Sequence, residues 1–375
     1  MMRKVERAIV ELKAGEPVLV TDGDEAALVF SIEGVDSPAF EAWIDRLNAS
    51  SVAVTLTRKR LESLGIDHSS TSGGVLEIPL TDTMGMAPLI DSLQRLGTQT
   101  TTNSGVSSSD LAEPEAIQQA SLTLMRQGRL LPASVSIGVP TDARPEIDGA
   151  LHSQDLMRVD AADVSDFEQT VERHLHRVSE AQVPLEGAEE TRFVLFREGS
   201  GLREHLALLI GDPSHWPDPV PVRMHSACLT GDLFGSLRCD CGEQLRGAVR
   251  SISEEGGGVL LYLAQEGRDI GLANKLRAYS LQDQGLDTVD ADQVLGFADD
   301  ERRYGVAVGM LRSLGIERID LLTNNPGKIQ AILDGGIEVG KRRELLGRVT
   351  PYNRRYLAAK AERSGHLLGA SLKTG

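Results

Sequence analysis

The second half of the chain repeats one unit: an apolar run, a tight turn rich in Gly or Asn, then a stretch with helical spacing. "GGVLLYLAQ" passes through "EGRDIG" into "LANKLRAYSLQDQG", and "IDLLT" passes through "NNPGK" into "IQAILDGG". Short apolar runs bounded by turn residues read as buried strands, and strands alternating with helices build an α/β sheet. In such sheets the strand-to-helix turns gather at the carboxyl edge, where ligands bind. Chemistry is therefore sought in the turns, beginning with the segment that follows the strand "VPVRMHSA".

The first half is also α/β. "VERAIVELKAG" is helical and stops at Gly15; "PVLVTD" and "AALVFSIEG" are strands around an acidic turn. "SPAFEAWIDRLNAS" opens on a Ser cap and is helical, "VAVTLT" is a strand, and "RKRLESLG" and "EPEAIQQASLTLMRQG" are helices. The Ser/Thr/Gly-rich run from Gly97 to Asp110 reads as a loop or lid. Residues 163–180, "DVSDFEQTVERHLHRVSE", read as a helix, and Pro and Gly in "AQVPLEGAEETR" then break the pattern. A chain of 375 residues exceeds the size of a single growing core, so two domains are expected, 1–175 and 176–375. Each is expected to be a mixed sheet packed with helices.

The formal net charge is −16, which opposes a nucleic-acid backbone as partner. A local group of Arg and Lys can still oppose that field and hold a small phosphorylated ligand. No apolar run is long enough to span a membrane, and the N-terminus lacks a signal-peptide core, so a cytoplasmic location is expected.

All three cysteines lie in "CLTGDLFGSLRCDCG", as Cys228, Cys239 and Cys241. An odd count in such a chain disfavours a disulfide framework and points to metal ligation. Cys239 and Cys241 are two apart and share a side of an extended segment, while the loop after Cys228, with Gly231 and Gly235, can fold it back. Three thiolates around zinc leave one position for water, whose pKa falls to about 7 at such sites. Two other readings stay open at this point: packed thiols without metal, and a structural site completed by His225.

Three long segments then carry a resemblance: "RMHSACLTGDLFGSLRCDCGEQL", "YLAQEGRDIGLANKLRAYSLQDQGLDTVDADQVLGFADDERRYG" and "LLTNNPGKIQAI". With the closing "YNRRYLAAKAERSGHLL", they resemble GTP cyclohydrolase II over about residues 176–368. The resemblance implies hydrolysis of GTP to a 2,5-diamino-6-(5-phosphoribosylamino)pyrimidinone, formate and pyrophosphate at the start of riboflavin biosynthesis. It implies one zinc per chain on Cys228, Cys239 and Cys241, magnesium with the triphosphate, and a homodimer. Arg302 matches the family's proposed nucleophile toward the α-phosphate, Asp300 its proton acceptor and Tyr279 its active-site tyrosine. The matching GTP contacts are Arg223, Met224, His225, Ser226, Ala227, Gln244, Glu266, Gly267, Arg268, Thr288, Thr323 and Lys328. The family commonly has Glu where this chain has Ala227.

Taken without the resemblance, Glu266 reads as a helix-capping or solvated carboxylate and Tyr279 as a core residue. Asp300 and Arg302, two apart, would not share a face of a regular helix, so a shared role requires a loop or helix start there. An arginine nucleophile needs a strongly perturbed guanidinium; electrostatic clamping of phosphate is the milder role.

Residues 1–175 resemble, more loosely, 3,4-dihydroxy-2-butanone 4-phosphate synthase. That family's acidic run, of the type Asp-Arg-Glu-Asn-Glu-Gly-Asp, is here "TDGDEAALVFSIEG", without the arginine and paired glutamates. The family's histidine is also missing from "RQGRLLPASVSIGVP". Metal-assisted enolisation needs both groups, so this domain is expected to be inactive. The alternatives to a cyclohydrolase are a paralogue serving another pathway and a non-catalytic GTP-binding regulator.

Overall fold

The computed structural model describes residues 2–66, 73–80, 111–170, 174–345, 347, 350 and 352–353. The Gly97–Asp110 loop reading and most of the closing "YNRRYLAAKAERSGHLL" segment lie outside these residues. The described chain forms two compact units. The first gathers the residues up to Gln169 with Ala273–Leu286 and Asp290–Asp299; the second gathers Thr170–Leu272, Asp287–Val289 and the residues from Asp300 onward.

The first unit holds helices α1 (Met2–Lys13), α2 (Pro38–Arg46), α3 (Arg58–Ser63), α4 (Ala116–Gly128), α5 (Arg144–His152) and most of α6 (Ala161–Thr170). Its strands are β1 (Val18–Asp22), β2 (Glu25–Ser31), β3 (Ser51–Thr57), β4 (Gly73–Pro79), β5 (Leu111–Ala112), β6 (Ala133–Gly138) and β7 (Met157–Asp160). They form one sheet in the order β5-β4-β3-β6-β2-β1-β7, antiparallel except for β1 beside β7. Local signals set the helix starts: the Ser37 and Thr57 hydroxyls accept from the backbone N–H groups of Phe40 and Arg60.

Helix α9 (Gly271–Asp283) and helix α10 (Thr288–Leu295) contribute most of their length to this first unit. Asn274 donates to the carbonyl of Arg129 at 2.9 Å, and Arg277 pairs with Glu33 at 3.0 Å. Buried Arg60 donates to the carbonyl of Val294, and Thr57 donates to that of Gly296 at 2.8 Å. Gly296 has φ +93°, and an added Cβ would lie 2.9 Å from the Thr57 hydroxyl, so this close approach needs glycine.

The second unit carries β8 (Leu175–Gln182), β9 (Thr191–Glu198), β10 (Glu204–Ile210), β11 (Val220–Ser226), β12 (Gly258–Leu263), β13 (Arg318–Leu322) and β14 (Glu338–Arg343). Their order is β14-β13-β11-β12-β10-β9-β8. β14, β13, β11 and β12 are mutually parallel, and β10, β9 and β8 continue the sheet antiparallel. Side chains alternate between two cores, as a pleated sheet requires. Val259 and Leu261 pack with Val306, Met310 and Ile332 from α11 (Gly305–Ser313) and α12 (Pro326–Asp334). Leu208, Ile210 and Leu260 pack with Ala248, Val249 and Ile252 of α8 (Cys241–Glu254). Both units are thus sheets packed with helices, the α/β class expected.

One expectation is corrected. The helix expected over 163–180 ends at Thr170, and Leu175–Gln182 is the edge strand β8. Its helical spacing was incidental: every residue of this strand except Leu175 is exposed, so no buried apolar face supports a helix there. Antiparallel pairing with β9 takes the backbone instead.

Candidate functional site

The carboxyl ends of β11, β12 and β13 lie side by side, so the three segments that follow them emerge at one edge of the sheet. The first is the cysteine segment. After Ser226 the chain continues as an extension of the ladder, with Ala227 N–H donating to the Leu263 carbonyl at 2.8 Å. It then turns through the four-residue helix α7 (Leu229–Asp232). Asp232 fixes that turn: its carboxylate accepts from the Cys228 N–H at 2.9 Å, His225 Nε2 at 3.1 Å and the Tyr262 hydroxyl at 3.0 Å.

The Sγ atoms of Cys228, Cys239 and Cys241 lie within 4.8 Å of one another, and Cys228 Sγ and Cys239 Sγ are 3.7 Å apart. Zinc–thiolate bonds of ~2.3 Å in a tetrahedron place sulfurs ~3.8 Å apart, so the spacing fits zinc. Gly231 makes room for the trio: a Cβ there would stand 2.7 Å from Cys239 Sγ and 3.0 Å from Cys228 Sγ. Without a cation the Cys239 thiol keeps its proton: it is pushed up to about 11, first by its hydrogen bond with Cys228. A bound cation inverts that preference and favours thiolates.

His225 does not join the cysteines. It is buried, its Nε2 faces Asp232, its ring stacks on Tyr262 with centroids 5.6 Å apart, and burial lowers its pKa. The neutral ring donates from Nε2, which leaves Nδ1 an acceptor; among the described residues Nδ1 has no hydrogen-bond partner. A site completed by His225 is thereby set aside in favour of three sulfurs.

Cations surround this edge. Arg223, on β11, is buried; it donates to the Leu322 carbonyl at 2.8 Å and to Gln244 Oε1 at 2.7 Å, and Gln244 donates to Asp240 at 2.6 Å. Burial pulls the Arg223 guanidinium down to about 10, with Asp240 opposing the shift, so it stays charged at neutral pH. Lys328, in the first turn of α12, is buried and donates to the Met224 carbonyl at 2.7 Å. Thr323 follows β13 and its hydroxyl accepts from Asn325 N–H at 3.0 Å. Asn325 caps α12 by accepting from Gly327 N–H at 2.8 Å.

Arg302 lies in the irregular stretch before α11, as a shared role with Asp300 requires. Its Nε donates to Asp300 Oδ1 at 2.8 Å and its Nη2 to Oδ2 at 2.5 Å. Burial opposes ionisation of Asp300, but the paired Arg302, and beyond it Arg268, hold the carboxyl below the usual carboxylate range. Tyr304 stands between two cations: Arg302 Cζ and Lys328 Nζ each lie 5.7 Å from its ring centroid. Its phenol is pushed up by burial.

Glu266 and Arg268 follow β12. One Glu266 oxygen accepts from Leu229 N–H at 2.6 Å, at the start of α7, so the helix-capping reading holds for that oxygen. Gly267 and Arg268 are both left-handed, at φ 63° and 59°. Met224 has its side chain in the core and offers this edge only its backbone, and Ser226 is 3.4 Å from Gln265 Oε1. Thr288 begins α10 and groups with the second unit, whereas Tyr279 lies on α9 in the first, with Lys275 Nζ 5.8 Å from its ring. Sequence reading passed over Asp232, Tyr262 and Tyr304; "LTGD" directly after Cys228 and the Tyr following "DDERR" were the available signals.

In the first unit the acidic turn after β1 borders a cavity of about 650 Å³, lined in part by Asp24, Glu25, Glu77 and Arg144.

A mixed α/β sheet whose parallel edge carries three sulfurs close enough to share one metal ion, with the cations Arg223, Arg302 and Lys328 at the same edge, has the donor set of a metalloprotein. The GTP cyclohydrolase II family model matches residues 176–344, and the chain belongs to that family. It is 42% identical to the GTP cyclohydrolase-2 of Azospirillum brasilense, over 98% of this chain and 94% of that protein. It is 34% identical to the riboflavin biosynthesis protein RibBA of Synechocystis, over 98% of this chain and 72% of that one. A solved two-domain 3,4-dihydroxy-2-butanone 4-phosphate synthase from A. baumannii aligns over 91% of this chain with 20% identity and a TM-score of 0.33. Among the described residues no helix is long and apolar enough to cross a membrane.

Proposed function

We propose that this chain hydrolyses GTP in a zinc-dependent reaction, releasing formate and pyrophosphate and leaving 2,5-diamino-6-(5-phosphoribosylamino)pyrimidin-4(3H)-one, the first step of riboflavin biosynthesis. The observation that carries this reading is the 3.7 Å sulfur spacing at the carboxyl edge of a family member's sheet. Cys228, Cys239 and Cys241 hold the zinc, which when bound supplies Lewis-acid activation of water.

The chain's own groups bind and orient the substrate. Arg223, Arg268, Arg302 and Lys328 oppose the charge of the triphosphate, which brings magnesium with it. Burial of Arg223 and Lys328 removes competing water and strengthens their attraction for phosphate oxygens. Gln244 and Thr323 complete this wall, with Thr288 and the backbone of Met224, His225, Ser226 and Ala227 as further contacts. Glu266, fixed by the Leu229 N–H, is the acceptor for the N–H edge of guanine. Asp300 orients Arg302 and serves as proton acceptor; Arg302 acts as an electrostatic clamp on the α-phosphate. Tyr279 remains a catalytic candidate on the family resemblance alone. The residue in place of the family's Glu, Ala227, presents its N–H to Leu263, a backbone role open to any side chain.

The first half performs no synthase chemistry, a reading supported by the missing arginine, glutamates and histidine. The protein acts as a cytoplasmic homodimer. The decisive experiment incubates purified chain with GTP, zinc and magnesium and follows formate and the pyrimidine product. Equal amounts of both support the reading; intact guanine rings after prolonged incubation reject it.

A further inference from the structure

The turn after β12 is held in a strained form. Gly267, Arg268 and Asp269 are left-handed in succession, at φ 63°, 59° and 75°, and two of the three carry side chains. Such a run persists only where surrounding contacts over-determine it. Its own backbone supplies a few: Asp269 N–H reaches the Gln265 carbonyl at 3.2 Å and Gly271 N–H the Glu266 carbonyl at 3.0 Å.

From outside the turn, Glu301 N–H donates to the Arg268 carbonyl at 3.2 Å and Leu229 N–H to the Glu266 carboxylate at 2.6 Å. The β9–β10 hairpin adds support at two points. Arg203 Nη1 donates to Asp269 Oδ2 at 2.8 Å, with both side chains largely buried. Two residues on, His205 Nδ1 accepts from Ala264 N–H at 3.1 Å, immediately before the turn. That bond places the ring proton on Nε2, which faces Glu198 Oε1 at 3.0 Å. Glu198 in turn takes Ser200 Oγ at 3.4 Å, and His205 and Glu198 are only 1% and 4% exposed. A buried chain of bonds therefore runs from the hairpin to Ala264, just before the turn, and an ion pair runs to the third left-handed residue.

We propose that Arg203 and His205 are positioning residues for substrate binding, acting through Asp269 and Ala264 to hold Glu266 and Arg268 in place. The inference rests on the reading of Glu266 and Arg268 as contacts to GTP. Neither hairpin side chain reaches substrate; each acts through the backbone it fixes. Their loss weakens ground-state binding and leaves the zinc-bearing cysteines intact.

The test uses the full zinc-loaded chain. Arg203→Met raises KM for GTP about tenfold with kcat within about threefold. It leaves zinc content unchanged and accelerates amide exchange over residues 264–271. Arg203→Lys, which retains an ion pair, stays within about twofold of the unsubstituted KM. In an Asp269→Gly background, where glycine adopts the left-handed conformation freely, Arg203→Met adds less than about twofold. Losses that multiply in the double variant, or unchanged exchange in Arg203→Met, overturn the proposal. Arg268→Ala separates the two levels. If it leaves KM unchanged, the reading of the turn as a GTP contact fails, and the exchange data alone decide whether the hairpin holds it.

Discussion

Replacing Gly231 by alanine presses one methyl group against the side chains of all three cysteines. Its Cβ would stand 2.7 Å from Cys239 Sγ, 3.0 Å from Cys228 Sγ and 3.0 Å from Cys241 Cβ. Ordinary non-bonded contacts begin near ~3.5 Å, so the sulfurs must retreat by roughly 0.5–0.8 Å. Metal–ligand distances tolerate only about 0.2 Å, so the retreat falls on the metal-loaded state, in which the sulfurs must converge. Overpacking of one methyl costs about 1–3 kcal/mol. At about 1.4 kcal/mol per decade, zinc binds roughly five- to hundredfold more weakly. Gly149→Ala on α5 is the control, because nothing lies within 4 Å of its added Cβ. The assay is competition for zinc with a chromophoric chelator, alongside formate release at saturating zinc. Zinc affinity in Gly231→Ala within twofold of the Gly149→Ala control would refute the geometric reasoning.

Cys239→Ser is expected to lose both zinc and formate release; full retention of ring opening would show that the sulfurs are not the metal's ligands. Lys328→Met removes a buried cation whose ammonium meets the Met224 carbonyl, and should raise KM for GTP about tenfold or more in steady-state kinetics. His225 has its pKa lowered from 6.5, first by burial, so the unfolded chain takes up the proton more readily than the folded one. Its stabilising effect is complete above about pH 6.5 and is lost as pH falls through the depressed folded value. Urea midpoints should therefore drop between about pH 7.5 and pH 5.5, and His225→Gln should flatten that drop. Removing residues 1–169 strips the partners from buried Leu281, Leu295 and Phe297, and amide exchange over 273–299 should then accelerate strongly.

Periodicity and turn chemistry are local properties, and they made most of the second unit legible. β12, β13, α9 and α12 fall where their apolar runs and Gly or Asn turns put them. The cysteine cluster was legible for the same reason, because its members lie within fourteen residues, Cys228 to Cys241, and only a glycine-bearing loop separates them. β8 was misread because its helical spacing is not backed by burial: a strand that pairs on one edge and faces solvent leaves no hydrophobic signature.

Sequence alone thus determined the kinds of element wherever burial backs the periodicity, together with the metal-competent residues and the family. Tertiary structure alone decided which distant groups meet. Asp232 joins His225, Cys228 and Tyr262; Arg203 reaches Asp269; residues 273–286 and 290–299 join the first unit. Such contacts depend on sheet order and on how the backbone turns in space, and no spacing along the chain encodes either.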